Sequence, residues 1–191
     1  MCGSPSYNSI YNIQIFSIQK QSQIDAIKDL KDFPNSLEKV DDDTIAFGFK
    51  DGSVNVWSIS KKIALYTLKE HTADIRAIKK FGNDRLITSA YDNSIKIWSL
   101  KEKNVIYTSI LNNVTYSLAV FNENLIICGM IDGTVILFNV TERVVHLTFK
   151  AHSGPVSSVT KIDNDLIASA SGKDTFINIF SVSNKKLVET I

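Results

Sequence analysis

The chain has 191 residues, 44% of them apolar and 21% charged, a balance that supports a buried core and argues against disorder. Its 21 basic and 20 acidic residues leave a formal charge of +1, so no long-range field draws it to nucleic acid or to an anionic membrane. Arg76, Arg85 and Arg143 are the only arginines, and Cys2 and Cys128 form no C-x-x-C pair, which disfavours a phosphate reader, a zinc site and a disulfide framework.

The chain opens without a cationic start and apolar core, and its longest apolar stretch, Leu125 to Ile131, is too short to span a bilayer. A reducing compartment is expected, the cytoplasm first and the nucleus as a second location. From the N-terminus onward one pattern then recurs. Ile10-Tyr-Asn-Ile-Gln-Ile-Phe16 opens a degenerate copy, and Asp51-Gly-Ser-Val-Asn-Val-Trp57 gives the first full one. Asp92-Asn-Ser-Ile-Lys-Ile-Trp98, Asp132-Gly-Thr-Val-Ile-Leu-Phe138 and Asp174-Thr-Phe-Ile-Asn-Ile-Phe180 follow. The closing aromatics step by 41, 41, 40 and 42 residues.

A second element keeps the same period. Asp41-Asp42-Asp43, Gly82-Asn83-Asp84, Asn122-Glu123-Asn124 and Asp163-Asn164-Asp165 each separate two apolar runs and read as hairpin turns, whose Asp, Asn and Gly tolerate a left-handed backbone. Each period divides into four short β-branched strands, placed in the copy of Trp98 near Ile75–Lys80, Arg85–Ser89, Ile95–Leu100 and Val105–Ile110. A four-stranded sheet has two faces to cover, and radial stacking of ~40-residue units covers them in a propeller.

These residues resemble the WD40 family, whose repeats carry a Gly-His pair before the first strand and a Trp-Asp pair closing the third. Lys69-Glu70-His71 and Lys150-Ala151-His152 stand at the Gly-His position; the other copies lack the His. The resemblance implies an all-β WD40-type propeller of about four full blades plus a partial N-terminal one, residues 1–32, followed by blades at 33–70, 71–111, 112–150 and 151–191. Met1-Cys2-Gly3 resembles the end of a second strand in that partial blade. Family propellers usually have seven blades. The chain is therefore expected to be part of a larger propeller, to be completed by another chain or a second copy, or to close as a five-bladed ring.

The resemblance also implies a buried structural hydrogen-bond relay of His71, Thr88 or Ser89, Asp92 and Trp98, which an enzyme reading would take for a triad. No G-x-S-x-G elbow, H-E-x-x-H pair or glycine-rich phosphate loop accompanies it, so no enzyme, catalytic residue, cofactor or metal is expected. Family propellers mostly act as rigid platforms for other proteins or peptides. Carried over by position, the contact residues of the platform are Lys50, Tyr91, Ile131 and Lys173 before the turn Asp, and Asn35, Arg76, Tyr116 and Ser157 near the first strand. Arg76, Tyr91 and Tyr116 lead, because tyrosine and arginine dominate interface hot spots. The expected role is a scaffold or adaptor within a larger complex; a ubiquitin-ligase substrate receptor and a phosphoinositide-binding propeller are the alternatives.

Overall fold

The computed structural model of the chain describes residues 11–191, so the expectation for Met1-Cys2-Gly3 lies outside the described residues. Every regular element among the described residues is a strand. An N-terminal hairpin, β1 (Tyr11–Ser17) and β2 (Ser22–Leu30), precedes four four-stranded antiparallel sheets. The first blade holds β3 (Ser36–Lys39), β4 (Thr44–Gly48), β5 (Ser53–Ser58) and β6 (Ile63–Lys69). The second holds β7 (Ile75–Lys80), β8 (Arg85–Ala90), β9 (Ser94–Ser99) and β10 (Asn104–Ile110). The third holds β11 (Thr115–Val120), β12 (Leu125–Met130), β13 (Thr134–Asn139) and β14 (Val144–Lys150). The fourth holds β15 (Val156–Lys161), β16 (Leu166–Ser171), β17 (Ile177–Ser181) and β18 (Lys186–Thr190).

In each blade the strands pair in chain order, and the first strands β3, β7, β11 and β15 pack side by side, which makes them the inner strands of a propeller arc. Because side chains alternate along a strand, each blade sends one set of residues to the blade before it and the other to the blade after it. Val54, Val56 and Leu68 of the first blade thus meet Ile75, Leu86 and Trp98 of the second. Ile87, Ile95 and Ile97 of the second meet Cys128, Ile136 and Phe138 of the third, and Ile127, Val135 and Leu137 of the third meet Val156, Ile167 and Phe180 of the fourth. The N-terminal hairpin covers the other face of the first blade through Ile13, Ile27 and Leu30 against Ile45, Phe47 and Phe49.

The arc does not close. In β8 and β12, each flanked on both sides, five consecutive residues are buried, whereas in β16 burial alternates and Leu166, Ala168 and Ala170 are left half-exposed. Ile177 and Val188 on the neighbouring strands are 45% and 53% exposed, so one face of the fourth blade has no neighbour among the described residues.

The turns between the first and second strands of each blade correct the sequence reading. Only Gly82 among their twelve residues has a positive φ (67°). The Asp and Asn residues serve instead as acceptors: the Asp43, Asn124 and Asp165 amides donate to Asp41, Asn122 and Asp163 two residues back. The third turn residue then reaches across to the outer hairpin. Asp43 accepts from Ser58 and the Ser60 amide, Asp84 from Ser99, Asn124 from Thr141, and Asp165 from Ser181 and the Ser183 amide. Left-handed backbone falls at Lys62, Lys103, Arg143 and Lys185, in the turns between the third and fourth strands.

Candidate functional site

The relay residues build the second blade from within. His71 Nδ1 lies 2.8 Å from Asp92 Oδ2, and Nε2 lies 2.7 Å from Thr88 Oγ1. A carboxylate only accepts, so Nδ1 carries the proton and Nε2 accepts from the Thr88 hydroxyl, which in turn accepts from Trp98 Nε1–H at 2.8 Å. Burial pushes the His71 pKa below its ordinary value despite the opposing pull of Asp92, keeping the ring neutral at pH 7. Burial also opposes the charged form of Asp92, but hydrogen bonds from Ser94, His71 and the Thr72 amide outweigh it and hold the carboxyl below its usual range. Of the two candidate hydroxyls Thr88 is the one engaged. Ser89 Oγ is fully buried and has no hydrogen-bond partner among the described residues.

The fourth blade has a shorter version: His152 meets Asp174 at 2.8 Å and Ser169 at 2.9 Å, but Phe180 offers no indole N–H. The first and third blades carry Leu30 and Leu111 where the histidines stand, and apolar residues replace the relay. Phe47 and Phe49 pack edge to face at 5.5 Å in the first, and Cys128, Met130, Ile136 and Phe138 form one buried cluster in the third. Burial raises the Cys128 thiol well above its ordinary value, leaving it an inert core residue. Since the His71 side chain is sealed from solvent and its neighbour Ser89 is unpaired with it, these groups have no geometry for nucleophilic catalysis.

The leading surface residues converge at the end of the arc that carries the β8–β9 turn and the interblade loops. The Arg76 guanidinium lies over the Tyr116 ring at 4.1 Å and over Tyr91 at 5.2 Å, and the two rings meet edge to face at 6.5 Å. A recurring β-bulge places them. β7 pairs Ile75 with Ala90 and then Ala77 with Ser89, β11 pairs Thr115 with Met130 and then Ser117 with Gly129, and β15 pairs Val156 with Ser171 and then Ser158 with Ala170. The skipped residues are Arg76, Tyr116 and Ser157, and a bulge re-aims the skipped side chain out of the regular alternation.

Asp74 Oδ2 approaches Arg76 Nη1 at 4.0 Å and its other oxygen accepts from Asn35, while Arg76 Nε is buried without a hydrogen-bond partner among the described residues. Ser157 lines a crevice of about 240 Å³ with Arg76, Tyr116 and Ser36 along the inner strands. Lys50, Ile131 and Lys173 stand apart in their own turns. Among the described residues no hydrogen bond, ion pair or ring contact ties them to the Arg76 cluster; the Ile131 amide donates to Val114 O, and the Lys173 stem lies over Gly154.

With this geometry in place, the comparisons agree on one class. The model of the WD40 family (WD domain, G-beta repeat) matches residues 63–99 and 143–181, the two segments that contain His71 and His152. The structure is similar to the crystal structure of the WD40 beta propeller domain of Doa1, with 26% identity over 88% of this chain and 56% of that one, at a TM-score of 0.76. The chain thus spans little more than half the length of that relative. No curated protein matches the chain. Two segments of the chain match the WD40 repeat, its fold is that of a WD40 β-propeller, and propellers of this kind are generally protein-interaction scaffolds.

Proposed function

We propose that the chain is a non-catalytic platform, a scaffold or adaptor subunit within a larger complex, that grips a partner protein or peptide through Arg76, Tyr91 and Tyr116. The stacking of Arg76 across both tyrosines carries this reading: a guanidinium held rigidly between rings, with Tyr91 39% exposed, offers buried area and polar donors with little ordering cost. Asn35 supports the cluster through Asp74, and Ser157, Lys50, Ile131 and Lys173 form the rim. The platform works in the cytoplasm or nucleus, and further blades, from a longer chain, another chain or a second copy, cover the bare face of β15–β18.

Mass-spectrometric comparison of proteins captured by the immobilised chain tests this. Arg76→Ala and Tyr116→Ala reduce recovery of the specific partner by about ten-fold or more, in line with hot-spot truncation, while Lys186→Ala at the opposite end leaves it unchanged. Equal recovery by all four proteins would remove the Arg76 cluster from the binding face.

A further inference from the structure

The two blades that lack the relay histidine share a feature on the circumference. A crevice of about 550 Å³ lies against the first blade and one of about 430 Å³ against the third. Their linings correspond residue for residue at an offset of 81 positions: Leu30 with Leu111, Asp51 with Asp132, Trp57 with Phe138. In both, a turn carboxylate stands beside an apolar floor, of Leu30, Phe49 and Trp57 in the first and of Leu111, Met130 and Phe138 in the third; Lys28 and Lys31 also line the first crevice, and neither makes an ion pair with Asp51 among the described residues.

The second blade shows what such a carboxylate takes when its site is filled. Asp92 accepts from the His71 ring, from the Ser94 amide and hydroxyl, and from the Thr72 amide, and the His71 side chain is wholly buried. At the same position Asp51 accepts, among the described residues, only from the amide and hydroxyl of Ser53. Asp132 accepts from the amide and hydroxyl of Thr134 and from Asn113. Neither has a ring nitrogen. Leucine brings apolar surface to that place and no donor, so the carboxylate keeps acceptor capacity facing an open crevice. In the third-blade crevice the other charged lining residue, Arg143, is turned onto the Tyr107 ring with Cζ 4.6 Å from its centre.

We propose that these lateral crevices are seats for a basic side chain, arginine or lysine, of an extended partner segment: the aliphatic stem lies on the apolar floor and the cationic head donates to Asp132 or Asp51. This is a second contact surface, independent of the Arg76 cluster.

Titration of the ¹⁵N-labelled chain with N-acetyl-arginine amide, followed by amide chemical shifts, tests it, with N-acetyl-norleucine amide as the uncharged probe. The expected result is saturable shifts at Thr134 and Asn113, and at Ser53, given by the cationic probe alone. Asp132→Asn weakens binding at the third-blade crevice by about ten-fold, the scale of a charge-assisted hydrogen bond, and leaves the first-blade response as an internal control. Leu111→His, which supplies the donor from within as His71 does, abolishes the same response without removing the carboxylate. Shifts that the norleucine probe reproduces, that persist in both variants, or that never saturate would overturn the proposal.

Discussion

Thr88 makes two hydrogen bonds that define its blade, accepting from Trp98 and donating to His71, and the protonation of the ring follows from them. That chain fixes a pH response. Unfolded, His71 takes up a proton near its ordinary value of about 6.5; folded, burial holds its pKa lower. The unfolded state therefore binds more protons as pH falls through that window, so stability contributed by the neutral ring is full above about pH 6.5 and drains away below it. Asp92, also depressed, adds a second loss as pH falls below the carboxylate range. Urea unfolding from pH 7.5 to 5.5 gives a falling midpoint for the native chain. His71→Gln gives a lower midpoint at pH 7.5, by about 1–3 kcal/mol for the disrupted bonds, and a flatter profile across the window. Equal slopes would place the titration elsewhere. At this scale the relay was an expectation carried over from the resemblance to WD40 repeats, and it agrees with the need of a buried imidazole, carboxylate and indole for partners. The choice between Thr88 and Ser89 was also in the sequence: the offset of 81 sets Thr88 against Ser169 and Ser89 against Ala170, and only the first pair keeps a hydroxyl. The same offset marks Leu30 and Leu111, a pairing the absence of histidine hid.

At the scale of strands and turns, the repeat period located the strands within a residue or two, because apolar alternation and turn residues punctuate them strongly. It did not reveal the bulges. A bulge changes register without changing period, so the grouping of Arg76 with Tyr116 rests on a backbone feature with no compositional mark. The left-handed residues were misplaced for a related reason. Asp and Asn suit both left-handed backbone and side-chain acceptance, and here they accept, while cations take the left-handed positions in the outer turns. Two of those cations also link a blade to the one before it, Lys103 lying 5.0 Å from the Tyr66 ring and Arg143 4.6 Å from that of Tyr107. Lys185 has no such ring contact among the described residues. Glycine at any of these positions relieves the same backbone penalty, so the difference between them isolates the ring contact. Lys103→Gly and Arg143→Gly are each less stable than Lys185→Gly by about 0.5–1 kcal/mol in denaturant titration. Three equal values would leave the ring contacts with no energetic role.

For the whole molecule, the alternation of faces explains both its cohesion and its exposed end. Each buried Ile, Leu, Val or Phe contributes roughly 1.5–3 kcal/mol where blades meet, and the array gains this only between neighbours. The blades solve their interiors in turn, apolar in the first and third, hydrogen-bonded in the second and fourth, with no break in the stacking. On the free face of the fourth blade, Leu166, Ala168, Ala170 and Ile177 have no neighbouring blade among the described residues, an arrangement that invites association. The architecture was readable from periodicity, whereas the composition of the partner's surface has no counterpart in one sequence, because a guest leaves only complementary residues behind. An open arc is the claim on which the platform reading, the bare face and the need for further blades all depend. Light scattering of the 191-residue chain across a concentration series tests it most directly, alongside the variant Ala170→Lys/Ile177→Lys. The open arc predicts a mass that rises with concentration in the native chain and falls to the monomer value in the charged variant; a native chain that stays a cooperative monomer at every concentration would contradict it.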